Sequence, residues 1–171
     1  TFRDGLADLE AVWTPGHSPG HVCIYDRKRK VLFAGDHVLP RITPHIALQP
    51  HVGGNPLGDY IDSMKKLEKL DVALVLPAHE QAFTNLSGRI AELLEHHHVR
   101  LNEVISTLES GHKLAYEVCA DVTWGSGGWA EMSLWDRQMS LFETLAHLEH
   151  LQSQGKVESF EEKGRTNYRL K

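Results

Sequence analysis

Residues 12–26 read VWTPGHSPGHVCIYD, in which His17 and His21 lie four positions apart among prolines and glycines, directly before an apolar run. Further short apolar runs occupy residues 11–13 and 31–34. Because short apolar runs bounded by turn residues predict β-strands, the region predicts three strands, the last two joined as a hairpin. The turn with the two histidines is then either a tight connection only or a metal-binding loop.

The segment that follows alternates helical and strand patterns. Asp59 is predicted to cap a helix whose apolar residues recur every three positions, and an apolar run at residues 72–76 predicts a buried strand that ends at Pro77. A helix followed by a buried strand is typical of α/β proteins. Residues 37–58 show no periodicity, and structureless loops longer than roughly 12–15 residues tend to be functional. We therefore expect an α/β fold with a functional loop.

Three residues with metal-binding side chains lie at strand ends. His17 comes just before a predicted strand, and Asp36 and His79 each come just after one. Side chains at the strand ends of open α/β sheets converge while the sheet holds their backbone rigid. Each residue alone fits an ordinary turn or cap, but together they supply the nitrogen and oxygen donors that zinc or iron requires. We interpret them as candidate metal ligands.

Three sequence motifs carry a family resemblance, namely TPGHSPGH at residues 14–21, FAGDHVLP at 33–40 and LPAHE at 76–80. In this order they resemble the third, fourth and fifth metal motifs of the metallo-β-lactamase-fold hydrolases, which include glyoxalase II, the acyl-homoserine lactonases and the lactamase-like endoribonucleases. The resemblance implies that His17 is a ligand of the first metal site, Asp36 the catalytic carboxylate that bridges two metals, and His79 a ligand of the second site.

The resemblance also implies roles for the neighbouring histidines. His21 aligns with a residue that supports the structure and is not a ligand. His37 directly follows the bridging position, and His45 and His51 lie in the loop that lines the substrate pocket of the family. These four are candidates for supporting the metals or contacting substrate, with surface histidines as the alternative.

One family motif, His-x-His-x-Asp-His, does not occur in these 171 residues. The resemblance therefore implies that the chain is the C-terminal half of a metallo-β-lactamase αββα sandwich and that the N-terminal half of the same protein is a required partner. The complete site is expected to hold two divalent ions, zinc first, with iron or manganese as alternatives. Because zinc sites use at least three protein ligands, we expect this chain alone to bind metal weakly or not at all and to be close to inactive.

The second half of the chain predicts a separate small domain. Its apolar patterns predict three helices followed by two short strands around a glycine turn. This order is similar to the winged-helix-like α+β domain that ends the lactamase-like endoribonucleases and a group of bacterial hydrolases. We predict two domains, a partial metallo-β-lactamase-fold domain at residues 1–88 and a winged-helix-like domain at residues 89–171.

Charge argues against a nucleic-acid partner. The formal net charge of −5 arises in residues 90–171, where eight Lys and Arg face thirteen Asp and Glu, and acidic surfaces repel phosphate backbones. Lys163, Arg165 and Arg169 on the presumed wing leave an RNA-processing metallo-nuclease or a nucleic-acid-binding module as the alternative. We expect the domain instead to wall the active site or to form a homodimer through its leucine stripes.

Two further groups of histidines are predicted to be solvated. His96, His97 and His98 are consecutive, and helical neighbours point about 100° apart, so they cannot converge on one ion. His147 and His150 lie three apart on a helix, but no third donor is evident nearby. We predict a solvated helix face and a surface pair.

These expectations combine into one function, a metal-dependent hydrolase in which metal-bound hydroxide attacks a small ester or thioester, as in glyoxalase II or the lactonases. No signal-peptide pattern or apolar run of roughly 18 residues is present, so we expect no membrane partner. Cys23 and Cys119 lie 96 positions apart and suit buried thiols of a reducing compartment, so we expect a cytoplasmic protein.

Overall fold

A computed structural model describes residues 1–3, 8–48, 53–125 and 127–171. The chain forms two compact units. The first unit contains residues 1–45 and 58–95, and the second contains residues 46–57 and 96–171. None of the helices in the described ranges is long and apolar enough to span a bilayer.

A five-stranded sheet forms the framework of the first unit, in the order β1-β2-β3-β4-β5. Its strands are β1 (Phe2–Arg3), β2 (Asp8–Trp13), β3 (Val22–Asp26), β4 (Val31–Gly35) and β5 (Leu74–Pro77). The first four strands pair antiparallel in sequence order, whereas β4 and β5 are parallel. The predicted strands and the hairpin between β3 and β4 are therefore confirmed.

The two faces of this sheet differ in exposure. On one face Cys23, Leu32, Ala34 and Val75 are completely buried, and Tyr25 is nearly so. The opposite face carries the apolar side chains of Trp13, Val22, Ile24, Phe33 and Leu76, several of which are exposed, and these five residues define the open face. Register partners across neighbouring strands share a face, which here joins Trp13 to Val22, Ile24 to Phe33, and Phe33 to Leu76.

Helix α1 (Pro56–Leu67) lies between β4 and β5 along the chain, and helix α2 (Leu86–Leu108) follows β5. Helix α1 begins three residues before the predicted cap, because proline suits the first helical position, and Asp59 lies in its first turn. Asn85 caps α2, since its Oδ1 accepts a hydrogen bond from the Gly88 amide at 3.0 Å. The predicted division between residues 88 and 89 falls inside α2 and stays a prediction.

The second unit contains two further helices, one 3₁₀ turn and a small sheet. Its elements after α2 are β6 (Lys113–Leu114), α3 (Ala115–Asp121), the 3₁₀ turn Trp129–Glu131, α4 (Leu134–Ser153), β7 (Val157–Glu162) and β8 (Arg165–Leu170). The three strands lie in the order β6-β8-β7, and both pairings are antiparallel. The predicted order of helices and hairpin is confirmed, while its interpretation as a winged helix stays a prediction.

Two histidines of the second unit are buried in its interior, which corrects the prediction that they are solvated. His97 is 1% exposed and His147 is completely buried. The Nδ1 of His147 donates to the Glu143 carbonyl at 2.8 Å, and its Nε2 lies 3.3 Å from the Nδ1 of His97. Burial lowers the pKa of His97 to about 2 and that of His147 to about 3, so both rings are neutral.

We predict that the free energy of unfolding decreases as the pH falls from 7 to 5. Unfolding lets His97 and His147 return to a pKa of about 6.5, so below that pH the unfolded chain binds more protons, which costs stability of about 2 kcal/mol for each residue. Glu143 opposes this trend, because burial raises its pKa to about 7 and the folded chain takes up its proton first. Urea unfolding followed by tryptophan fluorescence should show a steeper decrease for Glu143→Gln than for the unmodified chain. Equal slopes would contradict the prediction.

Candidate metal centre

The loop between β2 and β3 holds His17 in a closed turn. The Thr14 amide donates to the His21 carbonyl at 3.0 Å, and the Trp13 indole donates to the Pro19 carbonyl at 3.0 Å. These bonds close the loop where the paired ends of β2 and β3 already meet. His17 therefore projects from a short, internally hydrogen-bonded connection at the end of two strands.

A backbone contact orients the His17 ring. Its Nδ1 lies 3.0 Å from the carbonyl oxygen of His45. Because a carbonyl can only accept, Nδ1 is the ring nitrogen that carries a proton in the neutral tautomer, which leaves Nε2 as the nitrogen that would bind a metal. The predicted candidate His45 thus contributes its backbone oxygen to this arrangement.

Asp36 and His79 are brought together by the parallel pairing of β4 and β5. Gly35 and Pro77 are register partners at the ends of these strands, and the Ala78 amide donates to the Gly35 carbonyl at 2.9 Å. Parallel strands that end at one edge place the residues after them side by side. Accordingly, the Nε2 of His79 lies 3.0 Å from Oδ1 of Asp36, with both side chains partly exposed.

His21 lies between these groups and the interior. Its Nδ1 contacts Thr14 Oγ1 at 2.9 Å, and its ring stacks on His37 with 5.0 Å between centroids. Burial lowers the pKa of His21, the charge of His17 lowers it further, and the charge of Asp36 raises it. His17 and Asp36 therefore both lie near this ring. A side chain at position 35 would meet the ring, because an added Cβ would lie 2.7 Å from the His21 Nε2.

His37 points away from the edge where Asp36 is exposed. It is completely buried, its ring lies 4.8 Å from that of Tyr60, and neither ring nitrogen has a hydrogen-bond partner among the described residues. Burial, followed by the charges of His21 and His17, lowers its pKa to about 3. His37 is therefore a neutral buried ring beneath His21, and His51 lies outside the described residues.

Helix α1 supplies two supporting residues that the sequence reasoning missed. Ser63 Oγ donates to the Pro15 carbonyl at 2.8 Å, and the Tyr60 hydroxyl donates to the His37 carbonyl at 3.1 Å. Both residues are completely buried, together with Met64 and Leu67 of the same helix. Polar groups on the apolar face of a helix were the available signal, since buried polar groups are generally hydrogen-bonded.

The arrangement offers nitrogen, oxygen and nitrogen donors from His17, Asp36 and His79 around one sheet edge. Zinc, iron and manganese accept such donors. Within the described ranges, however, no three His, Cys, Asp or Glu residues form a group that could hold an ion. The residues thus fit a divalent metal chemically but provide part of a site.

The fold is that of the metallo-beta-lactamase proteins. The chain superimposes on the metallo-beta-lactamase family protein TTHA1429 from Thermus thermophilus with a TM-score of 0.81 and 31% identity, over 99% of this chain and 54% of that one. A beta-lactamase domain protein from Burkholderia ambifaria gives a TM-score of 0.87 and 28% identity, over 99% and 50% of the two chains. Residues 1–79 also match the family model of the metallo-beta-lactamase superfamily. Residues 1–79 therefore carry the sequence pattern of this superfamily, and the fold agrees with it.

Curated relatives are named as hydrolases. The probable metallo-hydrolase YqjP of Bacillus subtilis is 25% identical over 171 residues, 96% of this chain and 51% of that protein. The atrochrysone carboxyl ACP thioesterase of Emericella nidulans is 33% identical over 112 residues, 66% of this chain and 34% of that protein. The chain thus spans about a third to a half of the length of these relatives.

We predict that Gly16→Ala destabilises the first unit by about 3 kcal/mol, because positive φ strains alanine and crowding adds to it. Gly16 has a φ of +140°, and a Cβ there would lie 2.5 Å from the Cβ of Tyr60. Gly20→Ala in the same loop is the matched control, since no atom of the described residues lies within 4 Å of its added Cβ. Chemical unfolding of both variants tests this, and equal effects would contradict it.

Proposed function

We propose that the whole protein containing this chain is a metal-dependent hydrolase that acts on a small ester or thioester. The observation that carries the proposal is the 3.0 Å approach of Asp36 and His79 at the edge where β4 and β5 end. His17, whose Nδ1 is turned to the His45 carbonyl, lies in the loop that joins β2 and β3, with 6.3 Å between its ring centroid and that of His21. Similarity to a superfamily whose relatives include named hydrolases supports the same reaction class.

In the proposed site His17, Asp36 and His79 would hold the divalent ions, together with ligands from the rest of the protein. Two such ions, when bound, generate a nucleophile from water near neutral pH and polarise the acyl group under attack. The Asp36 carboxylate would supply oxygen ligands, and the His45 carbonyl orients the His17 ring so that its Nε2 faces away from that contact. Zinc is the first choice, while iron and manganese also suit these donors.

The substrate class rests on a relative. One relative is named as a carboxyl ACP thioesterase, and its similarity covers 66% of this chain. A thioester or ester carbonyl is the kind of group that a pair of divalent ions polarises well. We therefore place the substrate among small acyl esters and thioesters.

The proposed partner of this chain is the N-terminal half of the same protein, and the open sheet face supports it. Trp13, Val22 and Phe33 are 60%, 41% and 46% exposed on that face. Apolar sheet faces are normally covered by a second layer, as in sandwiches whose sheets pack about 10 Å apart. A second sheet would cover the open face, and the same half would supply the missing ligands.

The alternative function, nucleic-acid binding through the hairpin of β7 and β8, is less well supported. Arg169 pairs with Glu158 at 2.6 Å, and strand β7 places Glu158, Glu161 and Glu162 on the same hairpin as its basic residues. Phosphate binding requires positive charge that is not already paired. We favour a homodimer contact for this unit.

We also propose a cytoplasmic location for the protein, since buried free thiols such as Cys23 and Cys119 suit a reducing compartment.

We predict that the whole protein binds zinc tightly, whereas this chain alone binds it weakly and does not hydrolyse thioesters. In the whole protein, Asp36→Ala should weaken zinc binding roughly 100-fold or more, since removing even a supporting residue costs 10–100-fold. His98→Ala, on the exposed face of α2, is the control. Titration calorimetry measures zinc binding by the whole protein, by its two variants and by this chain alone. Tight stoichiometric zinc binding by the chain alone would contradict the proposed partial site.

We also predict that Phe33→Lys destabilises the whole protein by about 3 kcal/mol or more, because the covered sheet face would then bury an unpaired charge. Val99→Lys is the matched control, since Val99 is 47% exposed and Phe33 is 46% exposed in this chain. Urea unfolding of the whole protein compares them. A mild effect at both positions would show that no apolar layer covers the open face.

A further inference from the structure

Glu80, directly after His79, has a backbone conformation that glutamate rarely adopts. Its φ is +67°, in the left-handed region that favours glycine. Its side chain is only 17% exposed. A residue keeps such a conformation only where its surroundings hold it, and such residues are concentrated at functional sites.

The Glu80 carboxylate binds the loop that follows Asp36. Its Oε2 accepts from the backbone amides of Arg41 at 3.1 Å and Ile42 at 3.3 Å, and its Oε1 accepts from Arg41 Nε at 3.0 Å. Three donors from two consecutive residues therefore converge on one carboxylate, and carboxylate acceptors make stronger hydrogen bonds than neutral acceptors do.

Arg89 holds the same loop through its carbonyl groups. Its Nε donates to the Leu39 carbonyl at 2.7 Å, and its Nη2 donates to the carbonyls of Arg41 and Ile42 at 3.0 and 2.9 Å. The Arg89 side chain is 13% exposed and lies near the start of α2. Residues 39–42 are thus bound at their amides by Glu80 and at their carbonyls by Arg89.

This pair of contacts, the Glu80–Arg89 clamp, connects the two segments that carry the candidate ligands. Asp36 lies three residues before the clamped loop, and His79 directly precedes Glu80. The strands join these segments only up to the contact of Ala78 with Gly35. Beyond that point the two segments are joined by the direct contact of Asp36 with His79 at 3.0 Å, by the bond from Arg41 to Gln81 at 3.3 Å and by the clamp, which fixes the backbone of the loop.

We propose that Glu80 is a positioning residue, which fixes Asp36 and His79 in the relative orientation that a shared divalent metal centre needs, with Arg89 securing the loop from its other side. This inference rests on the proposed function, because it assigns Glu80 a role toward the metal ligands. It concerns a residue that contacts neither metal nor substrate and acts through the loop.

Three variants of the whole protein separate the clamp from the unusual backbone. Glu80→Ala removes the carboxylate and keeps the strained φ, whereas Glu80→Gly removes the carboxylate and relieves the strain. Glu80→Gln keeps acceptor oxygen without the charge and serves as the conservative rescue. Glu68→Ala, an exposed glutamate just after α1, is the matched control.

The measurements are the Zn²⁺ dissociation constant, by competition with a chromophoric chelator, and hydrogen exchange of the Arg41 and Ile42 amides. We expect Glu80→Ala and Glu80→Gly to weaken Zn²⁺ binding by roughly 10–100-fold, as changes to residues that orient ligands do. Both should also speed exchange of the two amides. Glu80→Gln should fall between them and the unmodified protein, and Glu68→Ala should match the unmodified protein.

Two outcomes would overturn this inference and leave the proposed function intact. One is unchanged Zn²⁺ affinity in Glu80→Ala and Glu80→Gly although amide exchange is faster. The other is normal affinity in Glu80→Gly with weakened affinity in Glu80→Ala, which would assign the effect to backbone strain. An unmodified whole protein that binds no divalent metal would instead overturn the proposed function.

Discussion

The parallel pairing of β4 with β5 is the constraint on which the candidate site depends. The strands before β4 turn back on one another as antiparallel neighbours, whereas β5 is reached by way of α1. Because β4 and β5 run in one direction, the residues after both strands emerge at the same edge. The 3.0 Å contact of Asp36 with His79 follows directly from this pairing. A shift of one residue would turn the two side chains toward different faces.

A row of imidazoles connects this edge to the interior of the first unit. His17 lies near His21, with 6.3 Å between ring centroids, and His21 stacks on the buried His37. Burial keeps His37 neutral, so the buried end of the row adds no positive charge beside Asp36. The neutral His37 ring packs beneath the candidate ligands, and it does not compete with a metal cation for the Asp36 carboxylate.

Local sequence predicted the strand ends well and the long-range contacts poorly. Asp36 and His79 were chosen as candidates because an apolar run that stops near a polar residue marks a strand end, and the structure has both residues just after strands. Glu80 and Arg89 were missed, since their hydrogen bonds join residues 38 to 50 positions apart. The prediction for His97 was wrong because it considered only the three consecutive histidines and not the apolar pattern of the whole helix. It lies in register with the buried residues of the α2 stripe, Ile90, Leu93, Arg100 and Val104.

The first unit has two deficits that one additional layer would remove. Its candidate ligands are too few to hold an ion among the described residues, and its sheet presents Trp13, Val22 and Phe33 on an apolar face. A second sheet packed on that face would cover the apolar residues and would bring further metal ligands to the edge beside it. An apolar face of this kind stabilises a protein only when it is covered, so the burial energy of that second layer and the metal affinity of the site should be coupled. Loss of the second layer would weaken metal binding, and loss of the metal would lower the stability gained from packing that layer.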